Sequence, residues 1–119
     1  MSHILFVEDD ASLRNEVADG LVRAGHRVDA ASGGNQALAC LKETRYDLLL
    51  TDLMMEEGTG FEVLVWVRDN APGLPVIICS SYAKPENLKT FLSTQLYRIV
   101  RKPCPLEDLI LQVRELLEK

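Results

Sequence analysis

Leu48-Leu49-Leu50-Thr51-Asp52 decides how this chain is read: an apolar run stops abruptly at a hydroxyl and a carboxylate. Three other runs end in the same way. Ile4–Val7 meets Glu8-Asp9-Asp10, Val76–Cys79 meets Ser80-Ser81, and Ile99-Val100 meets Arg101-Lys102. Runs that are continuously apolar, with no alternation, are the mark of strands buried on both faces, hence of a parallel sheet with helices on each side. In such sheets ligands bind beyond the carboxyl ends of the strands, where the strand order reverses. All four polar stops stand at carboxyl ends. Carboxylates, a hydroxyl and an ammonium are therefore expected to meet at one edge.

Working outward, five candidate strands alternate with helical patterns: His3–Val7, Arg27–Ala31, Tyr46–Thr51, Leu74–Cys79 and Arg98–Arg101. Leu13, Val17, Leu21 and Ala24 recur at helical spacing, as do Ala37, Leu38 and Leu41. Leu106, Leu109, Ile110, Val113, Leu116 and Leu117 form the clearest stripe. Asp10 is placed to cap the first helix and Gly25 to end it. Pro85 and Pro105 suit first helical turns, and Pro72-Gly73 marks a turn before the fourth strand. Five strand–helix units predict an α/β doubly wound fold. With 119 residues and no linker-like stretch, residues 1–119 are read as one domain.

Composition narrows the function classes. A content of 47% hydrophobic and 26% charged residues predicts a folded globular domain. The net charge of −5 argues against direct nucleic-acid binding, which needs basic patches. No apolar stretch is long enough to span a membrane, and the chain enters its first strand at once, so a cytoplasmic location is expected. Cys40, Cys79 and Cys104 lack ligand spacing, and neither His3 nor His26 lies near them in sequence, so all three read as structural thiols.

The acidic cluster carries the chemistry. If the first and third strands are neighbours, Glu8, Asp9 and Asp52 converge, and three carboxylates in one pocket repel unless a cation is bound. Mg²⁺ fits, being held by one or two carboxylates with waters and a phosphate. Such an ion permits a negatively charged nucleophile to attack a phosphoryl group. Asp52 stands alone after its strand and is the candidate nucleophile, aspartyl phosphates being known covalent intermediates. Lys102 supplies a point charge for phosphoryl oxygens and Ser80 a hydroxyl donor.

Val7-Glu8-Asp9-Asp10, Thr51-Asp52-Leu53-Met54-Met55, Gly60-Phe61-Glu62-Val63-Leu64, Ser80-Ser81 and Lys102-Pro103 together resemble the receiver domain of two-component response regulators. The resemblance runs in order through essentially the whole chain. It implies a CheY-like, flavodoxin-like (βα)5 fold with a five-stranded parallel sheet in the order 2-1-3-4-5. It further implies that Asp52 accepts a phosphoryl group from a histidine kinase or phosphotransfer protein. Asp9 would be a direct Mg²⁺ ligand and Glu8 a ligand through water, the Met54 carbonyl would complete the protein's share, and Mn²⁺ would substitute. Ser80 matches the switch hydroxyl and Lys102 the family lysine, with the Lys102-Pro103 peptide expected to be cis. Such a domain signals rather than acting as an enzyme. It works through an effector domain or downstream protein, or through a homodimer formed by its fourth helix, fifth strand and fifth helix; Arg98, Arg101, Glu107 and Asp108 fall on that surface.

Several positions depart from the family pattern. Glu56, followed by Glu57, stands where a proline is usual, which predicts a more acidic and less rigid loop. Ile99 occupies the place of the switch aromatic, with Tyr97 two residues earlier. Met54 and Tyr82, at positions that tune phosphoryl lifetime, are bulky and unsuited to positioning water, so slow self-dephosphorylation is expected. In the helix after Asp52, Phe61, Leu64 and Val67 are expected to be buried, which leaves Val65 and Trp66 toward solvent; Trp66 there either lies flat over its own helix or a neighbour, the favoured reading, or marks a partner surface. Two other readings compete. A phosphatase of the haloacid dehalogenase type needs a second Asp two residues after the nucleophile, where this chain has Met54. A degenerate receiver acting only as a protein-binding module would need no phosphate at all.

Overall fold

A computed structural model describes residues 2–53, 60–81 and 95–118. Its strands are β1 (His3–Val7), β2 (Arg27–Ala31), β3 (Leu48–Thr51), β4 (Val76–Ser80) and β5 (Tyr97–Arg101). They form one parallel sheet in the order β2-β1-β3-β4-β5, as the resemblance implies. The described helices are α1 (Ala11–Arg23), α2 (Gly34–Glu43), α3 (Gly60–Asn70) and a last helix, Leu106–Leu117. Pro85, Met54, Glu56, Glu57 and Tyr82 lie outside the described residues.

Side-chain alternation divides the core into two layers. Ile4, Phe6, Leu48, Leu50, Ile77 and Cys79 point toward α1 and the last helix, meeting Val17, Leu21, Leu109, Val113 and Leu116. Leu5, Val7, Leu49, Val76 and Ile78 point the other way, against Ala37, Leu41, Val63, Leu64 and Val67 of α2 and α3. Every residue of β3 and β4 is buried, as expected of runs covered on both faces. The two helices on the first side approach closely: a Cβ on Gly20 would lie 2.9 Å from the Leu106 methyl carbons.

The strand bounds differ from the expected ones by one or two residues. β4 begins at Val76 because Pro75 has no N–H to give. β3 begins at Leu48, while the hydroxyl of Tyr46 donates to Asp29 Oδ2 at 2.7 Å. Ser80 and Tyr97 belong to their strands, each one residue outside the expected range.

Helix ends follow local chemistry. Asp10 Oδ1 accepts from Leu13 N at 3.1 Å, and Gly25 takes φ +99° just after α1. Pro105 stands at the N-cap of the last helix rather than inside its first turn. Asp10→Ala should therefore lower stability by about 1 kcal/mol, read from the urea midpoint with an unchanged slope.

The phase of α3 corrects an expectation. Val63, Leu64 and Val67 are its buried residues, whereas Phe61 is only half-buried. Positions 63 and 67 lie four apart and so share a face, leaving 61 at its margin. Trp66 is half-buried and packs on the core, in keeping with its lying flat against its neighbours. Arg98 is tied down too, its guanidinium donating to Gln112 Oε1 at 2.5 Å and Glu115 Oε1 at 2.8 Å on the last helix. Arg101, Glu107 and Asp108 are exposed.

Candidate functional site

Parallel pairing of β1 with β3 sets Val7 opposite Thr51, so the next residues, Glu8 and Asp52, emerge side by side. The Asp52 N–H donates back to the Val7 carbonyl at 3.2 Å, and the Glu8 N–H to that of Ala31 at 3.0 Å. Glu8 is 2% and Asp52 7% exposed, while Asp9 faces solvent. One carboxylate oxygen from each lies within 4.8 Å of the others.

Lys102 reaches this group from the end of β5. Its Nζ donates to Glu8 Oε1 at 2.5 Å and Asp52 Oδ2 at 2.7 Å. The Lys102 N–H donates to the Ser80 carbonyl at 3.3 Å, which fastens the lysine segment to the end of β4. The Lys102-Pro103 peptide is cis. Ser80, 1% exposed, closes β4 opposite Arg101. The remaining Asp52 oxygen, Oδ1, accepts from Leu53 N at 2.6 Å, so the carboxylate is held from both sides.

The electrostatics follow from burial and pairing. Desolvation pushes the Glu8 pKa above its ordinary value, against the opposing pull of its hydrogen bond to Lys102. Desolvation alone would lower the Lys102 pKa, but its hydrogen bonds to Asp52 and Glu8 outweigh burial and raise it. The ammonium thus stays charged throughout the physiological range. Three carboxylates nevertheless outnumber one ammonium. That excess suits a divalent cation, which takes its ligands from carboxylate oxygens. The side chains of Glu8, Asp9 and Asp52 therefore fit such an ion; Met54 lies outside the described residues.

Two contacts were not legible as site features in the sequence. Arg14 Nη1 donates to the Glu8 carbonyl at 2.9 Å and lies 3.5 Å from that of Asp9, bracing the acidic turn from α1. The only available signal was an Arg one turn beyond the Asp10 cap. The pairing of Lys102 with Glu8 was likewise unannounced. As for the switch position, Ile99 pairs with Ile78 and Tyr97 with Val76, and both pack half-buried on the α2–α3 side.

Comparisons with known proteins agree with this architecture. The family model described as response regulator receiver domain matches residues 4–114. The chain is 31% identical over 119 residues to the transcriptional regulatory protein AfsQ1 of Streptomyces coelicolor, covering all of this chain and 52% of that protein. It is 32% identical over 111 residues to the sensor histidine kinase AruS of Pseudomonas aeruginosa, covering 89% of this chain and 11% of the kinase. It thus spans about half or less of these curated relatives. Among solved structures, the CheY-like receiver domain protein of Methanospirillum hungatei superposes with a TM-score of 0.89 at 26% identity, covering 99% of this chain and 94% of that one. The Francisella response regulator 1452 receiver domain gives 0.87 at 25% identity, covering 99% and 98%. No helix among the described residues is long and apolar enough to cross a membrane. Sheet order, acidic edge and family match converge: this chain belongs to the response regulator receiver domain family.

Proposed function

We infer that Asp52 is the phosphoryl acceptor of a two-component phosphorelay, drawing the group from a histidine kinase or a phosphotransfer protein. The observation that carries this reading is the grip on one buried carboxylate: Asp52 is held by Leu53 N and Lys102 Nζ, with Glu8 and Asp9 beside it. In the transfer, an Asp52 oxygen forms a bond to phosphorus. The bond from phosphorus to the donor's imidazole nitrogen breaks, and that nitrogen retains the electron pair and takes up a proton. Bound Mg²⁺, or Mn²⁺ in its place, would neutralise the phosphoryl oxygens. Glu8 and Asp9 are the side chains that would hold it with Asp52, joined by the Met54 carbonyl.

Lys102 changes partners in this scheme. It leaves Glu8 and Asp52 Oδ2 for a phosphoryl oxygen, while Ser80 donates its hydroxyl to another. These new contacts favour a second arrangement of the surface around β5 and the last helix. That surface is the proposed site of contact with an effector domain, a downstream protein or a second copy. The domain would work in the cytoplasm, with its own phosphorylation and slow dephosphorylation as its only chemistry. The slow loss rests on Met54 and Tyr82.

Incubating the protein with Mg²⁺ and a small phosphodonor such as acetyl phosphate tests this reading. Intact mass should rise by one phosphoryl group, and a chelator should prevent the gain. No gain under saturating Mg²⁺ would favour a degenerate receiver that signals by protein contact alone. Metal affinity offers a separate check. Asp9→Asn should weaken Mg²⁺ binding about tenfold or more by titration calorimetry, because one charged ligand becomes neutral.

A further inference from the structure

Of the three clustered carboxylates, only that of Asp9 is exposed, and Asp9 is the first residue beyond the sheet edge. Glu8 still belongs to that edge, its N–H donating to the Ala31 carbonyl at 3.0 Å. The Glu8 carboxylate is fixed as well: Oε1 accepts from Lys102 Nζ, and Oε2 from Asp10 N at 3.2 Å. The peptide planes on either side of the Asp9 Cα carry the Glu8 and Asp9 carbonyls, and one guanidinium nitrogen serves both. Arg14 Nη1 donates to the first at 2.9 Å and lies 3.5 Å from the second. Holding two rigid planes fixes the direction of the Cα–Cβ bond between them. Arg14, half-buried on α1, is itself placed by this turn. Its N–H donates to the Asp10 carbonyl at 2.8 Å, and Asp10 caps the helix through Leu13 N. The acidic turn and the first turn of α1 thus lock each other.

We propose that Arg14 is a positioning residue for the divalent cation: by holding the backbone on both sides of Asp9, it aims that carboxylate at the metal and strengthens binding. The proposal rests on the reading of Glu8, Asp9 and Asp52 as the metal-holding side chains. Two effects of the guanidinium oppose each other, and their signs tell them apart. Its positive charge repels a cation, so if charge were its whole role, removing it would tighten Mg²⁺ binding. If it positions Asp9, removing it weakens binding, by about 10–100-fold where a group orienting a metal ligand is lost. These backbone contacts take up no carboxylate oxygen, so the arginine can serve the site without competing for its ligands.

Titration calorimetry with Mg²⁺, in the absence of any phosphodonor, separates the two effects. Arg14→Met keeps an apolar stem but no donor, and its affinity should fall about tenfold. Arg14→Lys keeps the charge and a single ammonium in place of the planar fork, and should recover part of the loss. Amide order parameters of the metal-free protein give a second readout. Those of Asp9 and Asp10 should drop in Arg14→Met, while those of Leu49 and Ile77 in the sheet stay as in the parent. Equal or tighter Mg²⁺ binding by folded Arg14→Met, or unchanged order at Asp9 and Asp10, would overturn the proposal. A parent protein that binds no Mg²⁺ would overturn the metal reading with it, whereas a binding parent with an unaffected methionine variant overturns this inference alone.

Discussion

Asp52→Asn should lose phosphoryl acceptance completely while folding as the parent does. The amide keeps an oxygen where Oδ1 accepts from Leu53 N, so the turn after β3 loses no partner. What disappears is the proposed nucleophile. A neutral amide oxygen has neither the charge to attack phosphorus nor the charge to share a metal with Glu8 and Asp9. Lys102 keeps Glu8 as a partner, so no buried ammonium is stranded. Circular dichroism and thermal melting should therefore show a native fold, and intact mass should show no phosphoryl group at any donor concentration. Persistent labelling of the variant would place the acceptor elsewhere.

Lys102→Met should carry the larger structural penalty, about 2 kcal/mol at neutral pH. Removing one member of a buried ion pair typically costs 3–5 kcal/mol; the lysine side chain is 20% exposed, which discounts that figure. The sign depends on pH. Lys102 has a raised pKa, so its contribution is fully present below its ordinary value of 10.5 and is lost only as pH rises through the higher folded value. Glu8 behaves in the opposite chemical sense but with the same slope. Its pKa is raised in the folded state, so its carboxylate opposes folding more as pH climbs through that value from the ordinary 4.5. Without the lysine, Glu8 should move further up. The gap between parent and variant should be widest from neutral pH to about 10 and should close in acid as the carboxyls protonate. Urea unfolding across pH measures it, and Mg²⁺ should restore part of the lost stability. A variant as stable as the parent at neutral pH would show that the ammonium does not relieve carboxylate repulsion.

Much of this architecture was legible because burial on two faces leaves a plain mark. Leu48-Leu49-Leu50 and Val76-Ile77-Ile78 read as strands of a parallel sheet from their unbroken apolar character, and each sits fully buried. The meeting of Glu8 and Asp52 followed from strand order alone, since adjacent parallel strands end together. Contacts that depend on long, adaptable side chains were hidden. Lys102 and Glu8 are 94 residues apart, and only the reach of the ammonium across β4 and β3 brings them together. Arg14 on a helix reads as a solvated charge, yet it turns back onto two carbonyls of the acidic turn. The phase of α3 was misjudged because Phe61 is the larger hydrophobe, whereas Val63 has the better angular position.

Under the proposed function, phosphorus becomes bonded to one oxygen of Asp52. Borohydride reduction of the phosphorylated protein, followed by peptide mapping, tests it directly, because an aspartyl phosphate is converted to homoserine at the labelled position. Homoserine at position 52, with Glu8 and Asp9 unchanged, is the predicted result. Reduction at any other carboxylate, or none in protein that has gained phosphoryl mass, would contradict it.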